Sequence, residues 1–164
     1  MFIHFTDPKL DNFFKRFIRD FLHYNDLIFC IAGKIMHRLQ SDSKQSSQHS
    51  NIGYVSMHIR RGDFQYSDLK PTSQEIYDNI MKDKVLLPND VIYIATDEKN
   101  KSVFDYFVQQ NHTVKFLDDY WTKEFKDTVD PNYMGMIDTI IASYGREFVG
   151  TYCSTFTGYI NRLR

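Results

Sequence analysis

Residues 53–63 read Gly-Tyr-Val-Ser-Met-His-Ile-Arg-Arg-Gly-Asp, and this stretch decides the fold. Its first seven residues form a short, mostly apolar run with β-branched members, which is typical of a strand buried on both faces. Two arginines and a glycine follow directly. We therefore predict a buried strand over residues 53–59 that ends in a charged turn.

The sequence after this strand alternates between short apolar runs and stretches with helical spacing. We predict strands at residues 91–95, 113–117 and 147–149, and helices at residues 73–81, 101–109, 133–144 and from 155 to the end. Such alternation predicts an α/β fold in which helical crossovers connect mostly parallel strands. Ligands of these folds bind beyond the carboxyl ends of the strands, so the residues that follow each strand are candidates for a site.

The residues before the first strand predict a helical lead-in over residues 1–40. Asp7 is placed to cap a helix and Pro8 suits its first turn, and apolar residues then recur at helical spacing. The step at residues 24–26, Tyr-Asn-Asp, is a candidate break, since Asn and Asp offer the backbone competing hydrogen bonds. Residues 41–52 are rich in Ser, Gln, Asp and His, which predicts a flexible loop. Residues 1–164 as a whole are expected to form a single domain.

Composition argues against several broad classes of function. The formal net charge is -1, so the surface as a whole has no attraction for nucleic acid or for an anionic membrane. No stretch approaches the roughly 18 consecutive apolar residues of a membrane span, and this chain shows no targeting signal. Cys30 and Cys153 lie far apart and form no CxxC pair, so neither a zinc site nor a disulfide framework is indicated.

Arg60 and Arg61 are the leading candidates for an anion site. Guanidinium groups at the end of a buried strand are costly to desolvate unless an anion meets them, and they match phosphate oxygens bidentately. A diphosphate is a natural ligand for such a pair. The alternative is a structural network in which both arginines pair with Asp63 in the same turn and with Asp97 after the second strand.

The turn at residues 150–156, Gly-Thr-Tyr-Cys-Ser-Thr-Phe, is the second candidate, because it leads from the last strand into the closing helix. Free backbone N–H groups and the helix dipole attract phosphate at such a place. Ser154 also fits a plain capping role, in which its hydroxyl accepts a hydrogen bond from the first turn of the helix. The sequence leaves both interpretations open.

Two further polar residues stand in apolar surroundings. Asp138 lies inside an otherwise apolar helical run, so it is either exposed at the surface or turned toward a ligand such as the N–H groups of guanine. His58 has no partner His or carboxylate at metal-ligand spacing, which favours a packed histidine over a metal site. The usual motifs of dinucleotide oxidoreductases, P-loop NTPases and α/β-hydrolases do not occur.

Three motifs in this order, at residues 58–64, 93–98 and 148–156, resemble the GDP-fucose protein O-fucosyltransferase family, especially its plant and protist members. Residues 19–24 and 28–32 are similar to the segment of that family that precedes the first motif. The resemblance implies a Rossmann-like three-layer domain, the C-terminal half of a GT-B glycosyltransferase. The N-terminal GT-B domain, with its Gly/Asn-rich loop and any acceptor-side base, is expected to be absent from this chain.

The resemblance also implies roles for individual residues. Arg60 is expected to contact the β-phosphate and to stabilise the charge on the departing GDP. His58 is expected to shape the pocket, and Asp138 to bind guanine. Asp63 and Asp97 are expected to support the Arg60 loop. The remaining contacts to the donor are expected from Arg61, Ser154, Thr155 and Phe156.

The implied reaction is an inverting transfer of L-fucose from GDP-fucose to a Ser or Thr hydroxyl of a protein or to a glycan, in the lumen of the endoplasmic reticulum or Golgi. Neither a metal nor a cofactor is expected. Two alternatives remain open. One is a non-catalytic GDP-sugar-binding module or inactive fragment, and the other is a structural α/β domain whose arginines and aspartates satisfy one another.

Overall fold

The computed structural model describes residues 6–21, 24–46, 53–62 and 70–164. Two helices come first, α1 (Pro8–Phe21) and α2 (Asp26–Ser46). Strands and shorter helices follow in the order β1 (Val55–Ile59), α3 (Ser73–Lys82), β2 (Val91–Thr96), α4 (Asp105–Gln109), β3 (Thr113–Lys115), α5 (Leu117–Tyr120), α6 (Lys123–Thr128), α7 (Met134–Ser143), β4 (Phe148–Gly150) and α8 (Thr155–Leu163). Short 3₁₀ turns precede α4 and α7, at Lys101–Phe104 and Pro131–Tyr133.

The strands of the described residues form one sheet in the order β3-β2-β1-β4, and every neighbouring pair is parallel. Strand β1 pairs with β2 on one side and with β4 on the other, so Ser56 lies opposite both Tyr93 and Phe148. All the residues of β1 are buried. The predicted α/β fold with a parallel sheet is confirmed, and the chain forms a Rossmann-like three-layer domain.

The two faces of the sheet supply two apolar cores, because side chains alternate along a strand. Val55 and Met57 belong to the core that α3 and α4 cover. Tyr54 and Tyr93 belong to the other core, which α2, α7 and α8 cover. Each large side chain that is fully buried in such a core contributes about 1.5–3 kcal/mol relative to leaving it in water. One face of β1 is therefore apolar, whereas the other carries the buried polar residues Ser56 and His58, which have hydrogen-bond partners.

The flexible loop predicted over residues 41–52 is wrong at its start, because α2 continues to Ser46. Tertiary contacts hold these polar residues in the helix. Ser43 is buried, and the Tyr120 hydroxyl donates a hydrogen bond of 2.6 Å to Oδ2 of Asp42. A window of polar letters does not reveal such partners from a distant segment. Residues 47–52 lie outside the described part of the chain.

The break predicted at residues 24–26 is confirmed, since α1 ends at Phe21 and α2 begins at Asp26. The side chain of Asn25 accepts a hydrogen bond of 3.1 Å from the N–H of Ile28 and so caps the first turn of α2. The strand predicted at residues 113–117 stops at Lys115, and α5 begins at Leu117. Within the described residues, no helix is long and apolar enough to cross a bilayer.

The connection between α7 and β4 packs closely against β1 at Ser56. The Ser56 hydroxyl donates a hydrogen bond of 2.6 Å to the carbonyl oxygen of Ala142, and its N–H donates one of 2.9 Å to the carbonyl oxygen of Glu147. A Cβ atom at Gly145 would lie 2.3 Å from Oγ of Ser56 and 2.9 Å from its backbone nitrogen. Only glycine fits there without displacing the central strand.

Gly145→Ala should therefore lower the free energy of unfolding by about 2 kcal/mol, because a methyl group would be forced into a filled space. Gly33→Ala is the matched control, since Gly33 lies in α2 with nothing within 4 Å of the added Cβ. The control should be neutral or stabilise the protein by up to about 1 kcal/mol. Urea unfolding of the two variants checks this, and equal midpoints would contradict the packing argument.

Candidate functional site

The loops after β1 and β4 meet at the carboxyl edge of the sheet, because these two strands are parallel neighbours. Thr151 joins the loops. Its N–H donates a hydrogen bond of 2.9 Å to the carbonyl oxygen of His58, and its Oγ1 accepts one of 2.9 Å from the N–H of Arg60. The structure thus brings the Arg60 loop and the turn before α8 to the same place. Thr151 was not among the predicted site residues, although it lies inside the third motif.

Asp97, which follows β2, holds the backbone of the Arg60 loop. Its Oδ1 accepts a hydrogen bond of 2.8 Å from the N–H of Arg61. A Cβ atom at Gly62 would lie 2.7 Å from Oδ2 of Asp97, so the glycine permits the close approach of the loop to the carboxylate. Burial acts to raise the pKa of Asp97, but the N–H groups of Arg61 and Gly62 and the charge of Arg60 outweigh it, so this pKa lies below its ordinary value. Asp97 is therefore an anion at neutral pH.

The two arginines have different surroundings. Arg60 pairs with Asp97 through Nε and Oδ2 at 3.1 Å, and 37% of its side chain is exposed beside a cleft. Arg61 is only 20% exposed and turns to protein atoms instead. Its Nη1 donates a hydrogen bond of 2.6 Å to the carbonyl oxygen of Pro71, and its Nε lies 3.5 Å from Oε2 of Glu98. Arg61 therefore ties the loop to the start of α3.

His58 is the last residue of β1 on the face that α8 covers, and it is 4% exposed. Its Nδ1 lies 2.8 Å from Oγ1 of Thr157, and its ring centroid lies 4.6 Å from that of Phe156. Burial lowers the pKa of His58 to about 4, partly offset by the charge of Asp97. The imidazole is therefore neutral at physiological pH, and it supports the first turn of α8.

Ser154 occupies the N-cap position of α8, but its hydroxyl makes no capping hydrogen bond. The plain capping role considered from the sequence is therefore not what the structure has. Thr155 and Phe156 lie in the first turn, where backbone N–H groups have no acceptor within the helix. Gly150 allows this turn to close, since a Cβ atom there would lie 2.2 Å from Cγ2 of Thr157.

Asp138 lies on α7, on the same side of the sheet as His58. It accepts a hydrogen bond from the hydroxyl of Tyr93 and keeps part of its surface open. Burial raises the pKa of Asp138 to about 7, although the hydrogen bond from Tyr93 acts in the opposite direction. Gly135, one turn earlier on α7, lies against Phe156, with 3.8 Å from its would-be Cβ to the ring. Phe156 therefore lies between α7 and His58.

A cleft of about 540 Å³ opens beside Arg60, between the ends of β1 and β4 and helix α3. Both apolar and polar side chains line it. Asp138, Ser154, Thr155 and Phe156 do not line it, so the predicted residues divide between this cleft and the α7–α8 side of the sheet. The predicted set did not include most of the residues that line the cleft, among them Glu75 and Asn79, which lie one turn apart on α3. The lining residues not predicted as site residues are Ile59, Lys70, Pro71, Glu75, Ile76, Asn79, Ile80, Val149, Gly150, Thr151 and Tyr152.

Comparison with known families decides the relationship. The sequence model of the GDP-fucose protein O-fucosyltransferase family matches residues 2–164. The chain belongs to this family. The resemblance seen in the motifs is thereby confirmed. No individual curated protein matches the chain significantly.

GDP-fucose is the sugar donor for which the O-fucosyltransferase family is named. Asp63, the remaining predicted residue, lies outside the described part of the chain. Among the described residues, no group of three or more His, Cys, Asp or Glu side chains is arranged to hold a metal ion. Cys30 and Cys153 are free thiols, both exposed.

The buried His58 should make the fold acid-sensitive. Its pKa falls from about 6.5 in the unfolded chain to about 4 in the fold, so between these values the unfolded chain binds the extra proton. The free energy of unfolding should therefore decrease as the pH is lowered through this window, by up to about 3 kcal/mol. His58→Gln, which is neutral at every pH, should remove this part of the decrease in urea-unfolding experiments.

His37→Gln is the control, because His37 lies exposed on α2. The control should keep the pH dependence of the wild-type chain. Parallel curves for His58→Gln and the wild type would contradict a neutral, buried imidazole at this position.

Proposed function

We propose that this chain is the donor-binding half of a GT-B fucosyltransferase, which holds GDP-fucose at the carboxyl edge of β1 and β4. One observation carries the proposal. Thr151 fastens the Arg60 loop to the turn before α8, so a guanidinium and a helix N-terminus share one edge of the sheet. Both groups favour phosphate oxygens, and a diphosphate has enough of them to meet both.

Arg60 is the residue we assign to the β-phosphate. It is partly exposed beside the cleft, and its Nε pairs with Asp97, which fixes the plane of the guanidinium. The N–H groups of Thr155 and Phe156 at the start of α8 would bind the other phosphate oxygens, with Ser154 beside them. Arg61 supports the loop through Pro71 and Glu98 rather than through the donor.

The guanine would lie on the α7–α8 side of the sheet. Asp138 offers a carboxylate there, and guanine has adjacent N1–H and N2–H donors that a carboxylate can accept. Phe156, packed on the ring of His58, gives the base an apolar contact. A neutral His58 suits this place, because it adds no charge beside the base.

In the proposed reaction, a Ser or Thr hydroxyl of a protein, or a hydroxyl of a glycan, attacks the anomeric carbon of fucose. The new C–O bond forms as the bond from this carbon to the β-phosphate oxygen breaks, and the configuration inverts. The proton of the acceptor passes to a base that we expect from the facing half of the GT-B fold. Arg60 stabilises the negative charge that collects on the departing GDP. We propose the lumen of the endoplasmic reticulum or Golgi as the location.

A second possibility is a module that binds a GDP-sugar without transferring it. A third is a structural domain, favoured by the pairing of Arg60 with Asp97 and of Arg61 with Glu98. Calorimetry with GDP and GDP-fucose separates them. Binding with transfer to an acceptor supports the enzyme, binding without transfer supports the module, and no binding leaves the structural domain.

Arg60→Ala should weaken GDP binding at least about tenfold, because a charge-assisted hydrogen bond to the β-phosphate is lost. GMP lacks this phosphate, so its affinity should not change. Arg38→Ala is the matched control, since Arg38 lies exposed on α2. Calorimetry with both nucleotides checks the assignment, and an equal loss for GDP and GMP would contradict it. In a complete enzyme, Arg60→Ala should abolish transfer, and near-normal turnover would remove Arg60 from the catalytic role.

Chelation should leave donor binding unchanged. The proposal assigns neutralisation of the diphosphate to Arg60 and to the start of α8, which need no metal ion. The dissociation constant of GDP should therefore be the same in EDTA and in millimolar Mg²⁺. A loss of affinity in EDTA that Mg²⁺ restores would show that a cation bridges the phosphates.

A further inference from the structure

Tyr93 places a hydroxyl in the core beneath α7, where a buried polar group needs a partner. Its ring is fully buried on β2 and packs edge to face against Tyr54, with centroids 6.3 Å apart. The hydroxyl donates a hydrogen bond to Oδ1 of Asp138. Burial raises the pKa of Tyr93 well above its ordinary value, so the phenol keeps its proton and remains a donor. The contact is directional, from tyrosine to carboxylate.

Asp138 has a second oxygen that this contact leaves available. Among the described residues, none donates a hydrogen bond to Oδ2, and the residue is only partly buried. An ionised carboxylate is an acceptor only, and one held at Oδ1 cannot rotate freely. Oδ2 is therefore fixed in direction by a residue of a different element.

We propose that Tyr93 is a positioning residue for guanine recognition, in which its hydroxyl holds Oδ1 of Asp138 so that Oδ2 is aimed at the N–H donors of the base. This inference rests on the proposed function. The edge of guanine carries N1–H and N2–H donors, whereas adenine presents an unprotonated N1 that a carboxylate repels. The pair thus acts in specificity for guanine nucleotides.

The charge state of Asp138 is where Tyr93 matters most. Burial raises the pKa of Asp138 to about 7, and Asp118 acts in the same direction. The hydrogen bond from Tyr93 and the charge of Lys101 act the other way. Loss of this hydrogen bond should raise the pKa of Asp138 by about one unit. Without the hydroxyl, Asp138 would be mostly protonated at neutral pH and would lose acceptor capacity.

The charge state of Asp138 sets the direction in which the affinity for GDP should change with pH. Binding needs the ionised form, so the affinity for GDP should be full above the pKa of Asp138 and decrease as the pH is lowered through it. In the wild-type chain this decrease should be centred near about pH 7. In Tyr93→Phe the decrease should start about one unit higher. A change in packing alone would weaken binding equally at every pH.

The test measures GDP affinity by calorimetry from about pH 6 to about pH 8.5. Tyr93→Phe should weaken binding about fivefold near pH 7, with most of the loss recovered at the upper end of the range. Tyr54→Phe is the matched control, because its buried hydroxyl also binds α7 but donates to the carbonyl oxygen of Ile141, at 2.6 Å. The control should keep the wild-type pH profile.

A double-mutant comparison isolates the pair. In an Asp138→Asn background, Tyr93→Phe should have no further effect on GDP affinity, because the amide has no charge for the hydroxyl to hold. Inosine diphosphate, which lacks the 2-amino group, and ADP serve as probes of base selectivity. Tyr93→Phe should reduce the preference for GDP over both.

The outcomes separate this inference from the proposed function. A wild-type chain that binds no GDP would overturn both. Selective GDP binding that Tyr93→Phe leaves unchanged, or weakens equally at every pH, would overturn the role of Tyr93 alone. If Tyr93→Phe does not fold, the wild-type profile still decides, because GDP affinity that is flat from about pH 6 to about pH 8.5 would contradict a titrating Asp138.

Discussion

The parallel pairing of β1 with β2 and β4 is the constraint on which the rest of the structure depends. A strand paired on both sides and buried on both faces has all its backbone groups and side chains committed to the protein. Its carboxyl end is then fixed relative to those of its neighbours. The loops that follow β1, β2 and β4 therefore lie close together. Hydrogen bonds from the first of these loops to Thr151 and Asp97 connect them.

The two arginines at this edge differ in how deeply their side chains are buried. Arg61 donates a hydrogen bond to the carbonyl oxygen of Pro71 and forms an ion pair with Glu98, while Arg60 pairs with Asp97 and is partly exposed. A fully exposed arginine would be too mobile to orient a phosphate. Asp97 restrains the guanidinium of Arg60, and the side chain remains partly exposed beside the cleft. On the α7–α8 side of the sheet, the hydroxyl of Tyr93 restrains the carboxylate of Asp138 in a similar way, through a hydrogen bond to Oδ1.

Most of the elements could be predicted because their signals are local. The run at residues 53–59 is apolar enough for a buried strand, and Asn25 marks a helix start that needs no distant partner. The helix through residues 41–46 could not be predicted, since Tyr120 and the surrounding core hold its polar residues from far along the chain. For the site, the motifs placed Arg60 and Asp97 at strand ends, but nothing in them separated Arg61, which turns inward, from Arg60, which turns to the cleft.

The sequence by itself determined the class of the fold and the family. Both can be recognised from local apolar runs and from the order of the motifs, without information on which residues are in contact. Only the tertiary structure decided which side chains work together. Nothing in the local sequence distinguishes Thr151 or Tyr93. Each forms its hydrogen bond with a residue that is tens of positions away in the chain. The reason is that the hydrogen-bond direction, the burial and the pKa of a group depend on its neighbours in space, and the sequence does not show which residues these are.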